Sequence, residues 1–425
     1  MAETLFRLLA GFGFIIMPVL AQAQGVPRGE AARGVGVADR AREDFDPVGI
    51  RLGSFRADAS AELGMGYDSN ILGTNTNRES DGFASLGAQA GIRSDWSSHA
   101  LGLTGRILQR SYFQESAQDW TDFAVGVSGR YDITPDTSVS GAYNFVQEHL
   151  SSTSIDVQQA GLSRPVPYTY NEVVAQAQTR LNRVGLLVQG NWRGYRFEDV
   201  DSGPATTPGA TPPGEVSVYD FDSAIGAVGM NYALGPGRYV NLVLRYQNIN
   251  YLNSAQSARD SDTWAGLVGF TYDFDGIWGF NGEVGYMERD YSGAGLKNLS
   301  APAFTGTVRW QPTLLTTVTG TLERSVRESI RGNAVSYVAT TGALRVDHEY
   351  LRNVILGGEA GFEWDQYRQP NQQATDLYAS VSARWLINRN FSLVASYQYA
   401  WRVDASAGFD DYNRNLVQVA LRMAL

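Results

Sequence analysis

The sequence has no cysteine among its 425 residues and only 3 histidines. A disulfide framework and a thiolate metal site are therefore excluded, and no metal or cofactor site is expected. Lys297 is the only lysine, so nearly every cation is an arginine, which we attribute to a GC-rich genome rather than to a binding function. The formal net charge is −10, opposite in sign to that of nucleic-acid-binding chains, so no nucleic-acid partner is expected.

Long apolar runs are absent beyond the N-terminus. Residues 1–23 have the features of a Sec-type signal peptide, because Arg7 precedes the apolar stretch Leu8–Leu20 and Ala21-Gln22-Ala23 forms a small-x-small cleavage site. That stretch is shorter than the roughly 20 residues that a membrane-spanning helix needs. Residues 24–50 are rich in Gly and Arg without an apolar period. They are predicted to form a flexible periplasmic segment or, alternatively, a plug that enters a lumen.

From residue 51 onward the sequence alternates strictly between apolar and polar positions. The first such segment places on one face Phe55, Ala57, Ala59, Ala61, Leu63, Met65 and Tyr67. A period of two predicts a β-strand with one apolar and one wet face. The same pattern returns to the last residue, where Val417, Val419, Leu421, Met423 and Leu425 alternate with more polar positions. These segments are long enough to cross a bilayer at a tilt, which takes about 9 to 11 residues.

The pattern predicts about 18 strands over residues 51–425, with 16 to 18 plausible. Short turns alternate with longer polar loops such as Ser151–Pro167 and Asp199–Glu215. This asymmetry is typical of bacterial outer-membrane barrels, whose short turns face the periplasm. An even strand number also places both chain ends in the periplasm. Tryptophans fall near both ends of the strands, as expected for two aromatic girdles.

So many apolar strand faces need a partner, and lipid is the one that fits. In lipid every backbone N–H and C=O must be paired, so a sheet of such strands has to close on itself. A soluble sandwich would use shorter strands. The sequence therefore predicts an all-β fold, a transmembrane antiparallel up-and-down β-barrel in the outer membrane of a Gram-negative bacterium. Its partners would be outer-membrane lipid and, during biogenesis, the barrel-assembly machinery.

A barrel of this size leaves an aqueous lumen unless something fills it. The polar strand positions predicted to line the pore carry both signs of charge: Arg56, Asp58, Glu62, Arg93, Arg106, Arg130, Asp132, Arg245, Glu283, Arg309, Arg345, Glu359, Glu363, Arg384 and Arg422. Two interpretations stay open. The arginines could attract an anionic solute, or opposite charges could simply pair across the wall. The Pro-, Thr- and Gly-rich loop Asp199–Glu215 could fold inward as a gate.

Catalytic residues are not evident. His149 lies at a strand end beside Ser151 and Ser152, with Glu148 adjacent. Adjacent residues on a strand point to opposite faces, so Glu148 and His149 do not share a side. We therefore expect no enzyme activity. Acidic loop residues such as Asp404 and Asp410 are interpreted as solvated charge.

One stretch resembles a known family. The sequence VADRAREDFDPVGIRLGSF at Val37–Phe55, followed by GYDSNI at Gly66–Ile71, resembles the start of the putative β-barrel porin type 2 family of outer-membrane proteins. The matching residues are Asp39, Arg40, Asp46, Pro47, Gly49, Gly53, Phe55, Tyr67, Asp68 and Asn70. Phe45 stands where the family tends to have Tyr, and Ser69 where it tends to have Asp.

The resemblance implies a role that the residue pattern alone does not. Barrels of this type often accompany exopolysaccharide synthesis and export, and they look like the outer-membrane pore that pairs with a periplasmic polysaccharide-export protein. A passive conduit for an exported polysaccharide is therefore the leading hypothesis. The alternatives are a diffusion porin for small solutes and a structural or surface-interaction barrel that acts through its extracellular loops.

Overall fold

The structure is a computed structural model that describes residues 34–200, 214–273 and 276–425. The predicted signal peptide and residues 24–33 of the predicted periplasmic segment lie outside the described residues. So do residues 201–213, the main part of the loop that was predicted as a possible gate.

The described chain is almost entirely β-structure, as the alternation predicts. The elements are β1 (Ile50–Leu52), β2 (Phe55–Asp68), β3 (Asp81–Ser94), β4 (Ala100–Tyr112), β5 (Trp120–Thr134), β6 (Thr137–Leu150), α1 (Ile155–Gln159), β7 (Val166–Leu181), β8 (Val184–Phe197), β9 (Phe221–Gly235), β10 (Arg238–Tyr251), β11 (Ser261–Asp273), β12 (Trp278–Tyr291), β13 (Leu299–Thr313), β14 (Thr316–Glu328), β15 (Ser336–Leu351), β16 (Val354–Tyr367), β17 (Gln372–Leu386), β18 (Phe391–Val403) and β19 (Asn413–Ala424). Short 3₁₀ turns occur at Ser116–Gln118, Ser217–Tyr219 and Ser254–Arg259. No helix among the described residues is long and apolar enough to span a bilayer.

Each strand from β2 to β19 pairs antiparallel with its neighbours, and β19 pairs with β2 to close the ring. The short β1 is extra and pairs with β2. The prediction of an antiparallel barrel of about 18 strands is therefore confirmed. We call the end with short turns the turn end and the opposite end, with the longer loops, the loop end.

The two faces of the strands differ as a membrane barrel requires. On β2, the side chains of Leu63 and Met65 are 65% and 63% exposed, whereas the intervening Gly64 lies on the inner face and is buried. Exposed apolar side chains recur at alternate positions on the other strands. Because no water competes for the backbone in lipid, this apolar band is stable only on a closed sheet. The apolar side chains that are buried gather mainly at the loop end, inside the ring.

The seam where the first and last barrel strands meet is closed by side chains as well as by backbone pairing. At its loop end Arg414 forms an ion pair with the fully buried Asp68, and Asn70 Nδ2 donates to the Asn413 carbonyl at 3.0 Å. At the turn end, β2 extends past its last pair with β19, and there Ile50 of β1 pairs with Ala57 of β2. The N-terminal segment thus completes the pairing of β2.

A second seam, between β13 and β14, is closed over only part of its length. Cross-strand pairing runs from the turn end to Phe304–Arg324 and stops there among the described residues. Both strands continue beyond this point with their other neighbours, β13 to the pair Leu299–Arg289 and β14 to the pair Glu328–Ser336. The outer part of β14 therefore separates from β13, while it stays paired with β15, which stays paired with β16.

Candidate functional site: the closed loop end

The hairpin formed by β14 and β15 bends into the barrel after the split. Leu322 of β14 faces outward and is 43% exposed. Glu328 lies six residues later on the same face, yet it forms an ion pair with Arg289 on the inner face of β12. Tyr251, on the inner face of β10, donates its hydroxyl to Glu328 at 2.9 Å. The outer face of this hairpin therefore packs against the inside of the wall formed by β10–β13, on the other side of the split.

The contact between hairpin and wall is apolar around that ion pair. Val326 and Val338 of the hairpin pack with Leu267, Met287 and Ala303 of the wall. Burial of such side chains stabilises by roughly 25 cal/mol per Å² of apolar surface. The inward position of the hairpin is thus held by a packed interface as well as by the buried pair.

The loop that carries α1 meets the tip of the hairpin inside the ring. Asp156 accepts hydrogen bonds from Ser329 Oγ at 2.9 Å, from the Ile330 N–H at 3.2 Å and from Tyr367 Oη at 2.7 Å. Burial raises the pKa of the Asp156 carboxyl above its usual value, because it opposes ionisation more strongly than the three donors and Arg331 favour it. Val157, next in α1, is fully buried in an aromatic cluster that also holds Ile330.

Three buried arginines bind carbonyl groups or rings in these loops. Arg259 donates to the carbonyls of Ser329 and Arg331 at 2.8 and 2.6 Å. Arg331 lies over the Tyr367 ring at 4.7 Å, and Arg402 donates to the Thr153 carbonyl at 2.9 Å. Arginine suits this task because its fixed fork of donors serves several acceptors while its planar face stacks on a ring. The loops therefore meet across the loop end in a specific assembly held by hydrogen bonds and ring contacts.

At the turn end, residues 34–46 lie against the inner side of the wall. The backbone N–H of Val37 donates to Thr317 Oγ1 at 2.9 Å, and Val37 is fully buried. Glu349 accepts from Arg42 at 3.0 Å and lies 3.6 Å from Arg40. The N-terminal segment is thus bound to the barrel at this end by two of its arginines.

All fifteen predicted pore-lining residues lie on strand faces opposite to the exposed apolar side chains. Many are paired: Arg106 with Glu148 at 3.3 Å, Arg130 with Asp132 at 2.9 Å, Arg309 with Asp273 at 3.3 Å, Glu363 with Arg327 at 2.5 Å, and Arg345 with both Asp347 and Glu359 at 2.9 and 3.4 Å. Arg422 donates to Ser60, and Arg56 to the Val48 carbonyl. The remaining members are Asp58, Glu62, Arg93, Arg245, Glu283 and Arg384. Their role in solute passage stays a prediction.

The motif residues that carried the family resemblance lie in the segment before β1, in the turn between β1 and β2, and at the two ends of β2. Asp46 accepts from the Arg42 N–H, and Gly53, at φ +61°, forms the turn between β1 and β2. Phe55 packs edge-on against Trp96 with ring centroids 5.5 Å apart. Tyr67 faces outward, and its neighbour Asp68 faces inward. The motif therefore brings the N-terminal segment and the ring seam into position.

The residues that close the loop end were not singled out from the sequence. Glu328 and Arg331 fall in the polar stretch 328–333, which the strand pattern predicts to be one more outer loop, and Asp156 is one acid among 44 acidic residues. One local signal exists: Pro302 lies in β13, beyond its last pair with β14. Proline lacks an N–H and is confined to sheet edges, so it marks this strand as unpaired on one side.

His149 and Ser152 do not form a catalytic pair. The His149 ring bonds Asp122 at 2.8 Å and stacks on Trp120, whereas Ser152 donates to the Ile71 carbonyl at 3.1 Å. The described residues contain no cluster of three or more His, Cys, Asp or Glu side chains suited to a metal ion.

Several solved structures resemble this chain at low sequence identity. The OccK1 (OpdK) structure from Pseudomonas aeruginosa shares 11% identity and a TM-score of 0.46, over 87% of this chain and 99% of that one. A BenF-like porin from Pseudomonas fluorescens Pf-5 has 10% sequence identity and a TM-score of 0.47, and the match covers 88% of this chain and 100% of that one. The FrpB iron transporter of Neisseria meningitidis has 10% sequence identity and a TM-score of 0.51, and the match covers 89% of this chain and 82% of that one. This likeness shows the fold alone.

No curated protein matches the sequence. The family described as putative beta-barrel porin 2 matches residues 43–425, which is the whole barrel and the end of the segment before it. The resemblance seen around Asp39–Ile71 is therefore confirmed: this chain belongs to the putative beta-barrel porin 2 family of outer-membrane β-barrel porins.

Proposed function

We propose that this porin is a gated outer-membrane conduit for an exported polysaccharide. The observation that carries the gating is the β14–β15 hairpin, which crosses the loop end and is fixed by Glu328, Arg289 and Asp156. A wide barrel that was always open would need no such assembly. A conduit for a long polymer would have to be closed between transport events, because an open lumen of this size lets small solutes leak.

The polar lining supports a carbohydrate cargo. Paired arginines and carboxylates along the inner faces offer donors and acceptors to sugar hydroxyl groups without a large net charge. Glu172 shows the pattern, since it binds Asn144, Asn191 and Arg193 at 2.9, 2.8 and 2.6–2.7 Å. The resemblance to barrels that accompany exopolysaccharide export supports the same cargo.

A periplasmic polysaccharide-export protein is the partner that this role requires. Residues 34–46 line the turn end, where such a protein would dock, and they are held through Arg40, Arg42 and Glu349. We infer that docking would displace these residues from the wall.

The gate is tested by Glu328→Gln. Removing this carboxylate leaves Arg289 buried without its charge partner and frees the hairpin. We expect single channels in planar bilayers to change from mostly closed to mostly open. Glu288→Gln is the matched control, because Glu288 is the exposed neighbour of Arg289 on the outer face of β12. Equal conductance of the two variants and the parent would contradict the gate.

The cargo is tested by deleting the gene. We expect polysaccharide to accumulate in the periplasm and to disappear from the cell surface, with recovery by the parent chain. Normal surface polymer in the deletion strain would overturn the export role. The second candidate is diffusion of small solutes, which membership in a porin family favours. Purified parent protein would then show large conductance without any partner.

A further inference from the structure

Three arginines form a row across the inner wall at the turn end. Arg51 of β1 lies directly across from Arg56 of β2, and Arg56 lies directly across from Arg93 of β3. Ile50 and Ile92, next to the first and the last of them, are exposed on the outer face. Because neighbouring residues of a strand point to opposite faces, all three arginines belong to the inner face, on strands about 4.8 Å apart. We call these three residues the arginine row.

The positive charge of the arginine row is only partly balanced. Arg51 lies 3.3 Å from Asp95, and both side chains are largely exposed. Arg56 donates to a backbone carbonyl at 2.9 Å, and the exposed Arg93 forms no side-chain hydrogen bond or ion pair with the described residues. Asp58, at the next inward position of β2, forms no ion pair with the row in the described part of the chain. Two of the three arginines are therefore left without a carboxylate.

Other inward arginines in the turn half of the barrel are neutralised within the wall. Each has a carboxylate partner on its own strand or a nearby one, as in the pairs Arg130–Asp132, Arg309–Asp273 and Arg345–Asp347. The arginine row lacks this arrangement. The stability of the sheet does not account for the row, because like charges directly opposite each other destabilise paired strands. An anion that enters the lumen would supply the missing partner.

Two more cations lie deeper on the same side of the lumen. Arg422 of β19 donates to Ser60 of β2 at 3.0 Å, and Ser60 lies four residues beyond Arg56, about 13 Å along the strand. Arg384 of β17 interacts with Arg422 as a like charge, and both interact with the carboxylate of Glu62. From β17 to β3 the turn half of the lumen thus carries more arginines than carboxylates, although the net charge of the whole chain is −10.

Such an arrangement suits a chain of acidic groups. A guanidinium binds a carboxylate or a phosphate through two parallel N–H···O bonds. A cleft lined by one sign of charge also concentrates ions of the opposite sign at its mouth. Cations at the mouth and about 13 Å deeper can therefore bind successive acidic groups of one extended polymer.

We propose that the arginine row binds the acidic groups of an anionic polysaccharide as the polymer enters the barrel at the turn end. The paired charges elsewhere in the wall bind hydroxyl groups, whereas the row selects a cargo that carries carboxylate or phosphate groups. This inference rests on the proposed function for the polymeric nature of the cargo and its direction of transport. The binding of anions by the row does not depend on the export role.

The test measures the binding of small probes to the purified full-length barrel in nanodiscs at low salt. Trigalacturonate supplies carboxylates, pyrophosphate supplies phosphates, and maltotriose is the neutral control. We expect an acidic probe to bind and maltotriose not to bind. Arg56→Gln combined with Arg93→Gln should weaken the binding of the acidic probe by about tenfold. High salt should weaken it as well, because salt screens exposed charges.

The matched control is Arg183→Gln combined with Arg389→Gln. It removes two exposed arginines from short turns at the same end of the barrel, and so it changes the net charge equally. We expect the affinity for the acidic probe to stay close to that of the parent. Arg93→Gln alone keeps the test decisive if the double variant does not fold, because the Arg93 side chain makes no hydrogen bond that the described barrel would lose. It should weaken binding severalfold.

Equal affinity of the parent for the acidic probes and maltotriose would overturn the proposal, and so would the same loss of affinity in the control and the row variant. If only one acidic probe binds, it identifies the acidic group that the row selects. Normal surface polymer in the deletion strain, together with anion binding that depends on the row, would refute the export role and leave the row as the anion site of a diffusion porin.

Discussion

The two seams of this barrel contrast at the loop end. The seam between β19 and β2 joins strands from opposite ends of the chain, yet it is closed by the Asp68–Arg414 pair and by the Asn70 side chain. The seam between β13 and β14 joins consecutive strands, yet it opens beyond Phe304–Arg324. Chain continuity therefore does not decide where the wall is closed. Side-chain bonds across the seam do, because each strand can take a partner either in the wall or inside the lumen.

The largest effect is expected from Asp68→Asn, which removes the ion pair across the seam between β19 and β2. Asp68 is fully buried, and removing its charge leaves Arg414 without compensation, which costs about 3–5 kcal/mol for buried pairs. We expect the free energy of unfolding to fall by about 3 kcal/mol, measured by urea titration in lipid vesicles.

Asp95→Asn is the control for this change. Asp95 pairs with Arg51, but their side chains are 63% and 76% exposed, so the loss should be small. If the two variants unfold at the same urea concentration, the ion pair is not what holds this seam.

A smaller effect is expected from Asn70→Ala. The Asn70 side chain donates to the carbonyls of Thr74 and Asn413 at 2.8 and 3.0 Å, so its removal leaves two acceptors unsatisfied at a cost of about 1–2 kcal/mol. Hydrogen exchange should accelerate at residues 69–75 and 413–416 and stay unchanged around β13. Thr76→Ala, an exposed position in the same loop, serves as control. Faster exchange in both variants would mean that the loop is generally loose.

The smallest effect concerns pH and the hairpin that leaves the open seam. Because burial raises the pKa of Asp156, its contribution to closure is complete below the ordinary carboxyl pKa and is lost as pH rises through the raised value. We expect channel opening to increase with pH by less than about tenfold. Asp156→Asn should stay closed and insensitive to pH.

The surroundings of Asp156 act on its pKa in opposite directions, and the net effect is to raise it. Arg331 and the three hydrogen-bond donors favour the ionised carboxyl, whereas burial opposes it more strongly, and a charge on the nearby Asp365 would oppose it as well. Planar-bilayer recordings across the pH range would check the direction, and channels that close as pH rises would show that it is wrong.

Much of the fold could be predicted locally. The alternation from Phe55 to Tyr67 fixes a strand and assigns its lipid face, since a shift by one residue would put Leu63 and Met65 in the lumen. The number of strands follows from repeating that pattern, and the motif at Asp68 and Asn70 indicates the family. The predicted inward faces at Arg345 and Glu363 are the faces opposite to the exposed apolar ones.

The closed loop end could not be predicted in the same way. Glu328 lies on the same face of β14 as the outward Leu322, so the sequence pattern places it outside the lumen. Only the contact with Arg289, 39 residues earlier, shows that the strand has crossed into the lumen. Asp156 meets Ser329 across 173 residues of sequence. The sequence by itself determined the strands, their faces and the ring, because these depend on a period of two within each segment. The tertiary structure decided which seam opens and what fills the mouth, because those depend on pairs of buried charges that no local pattern brings together.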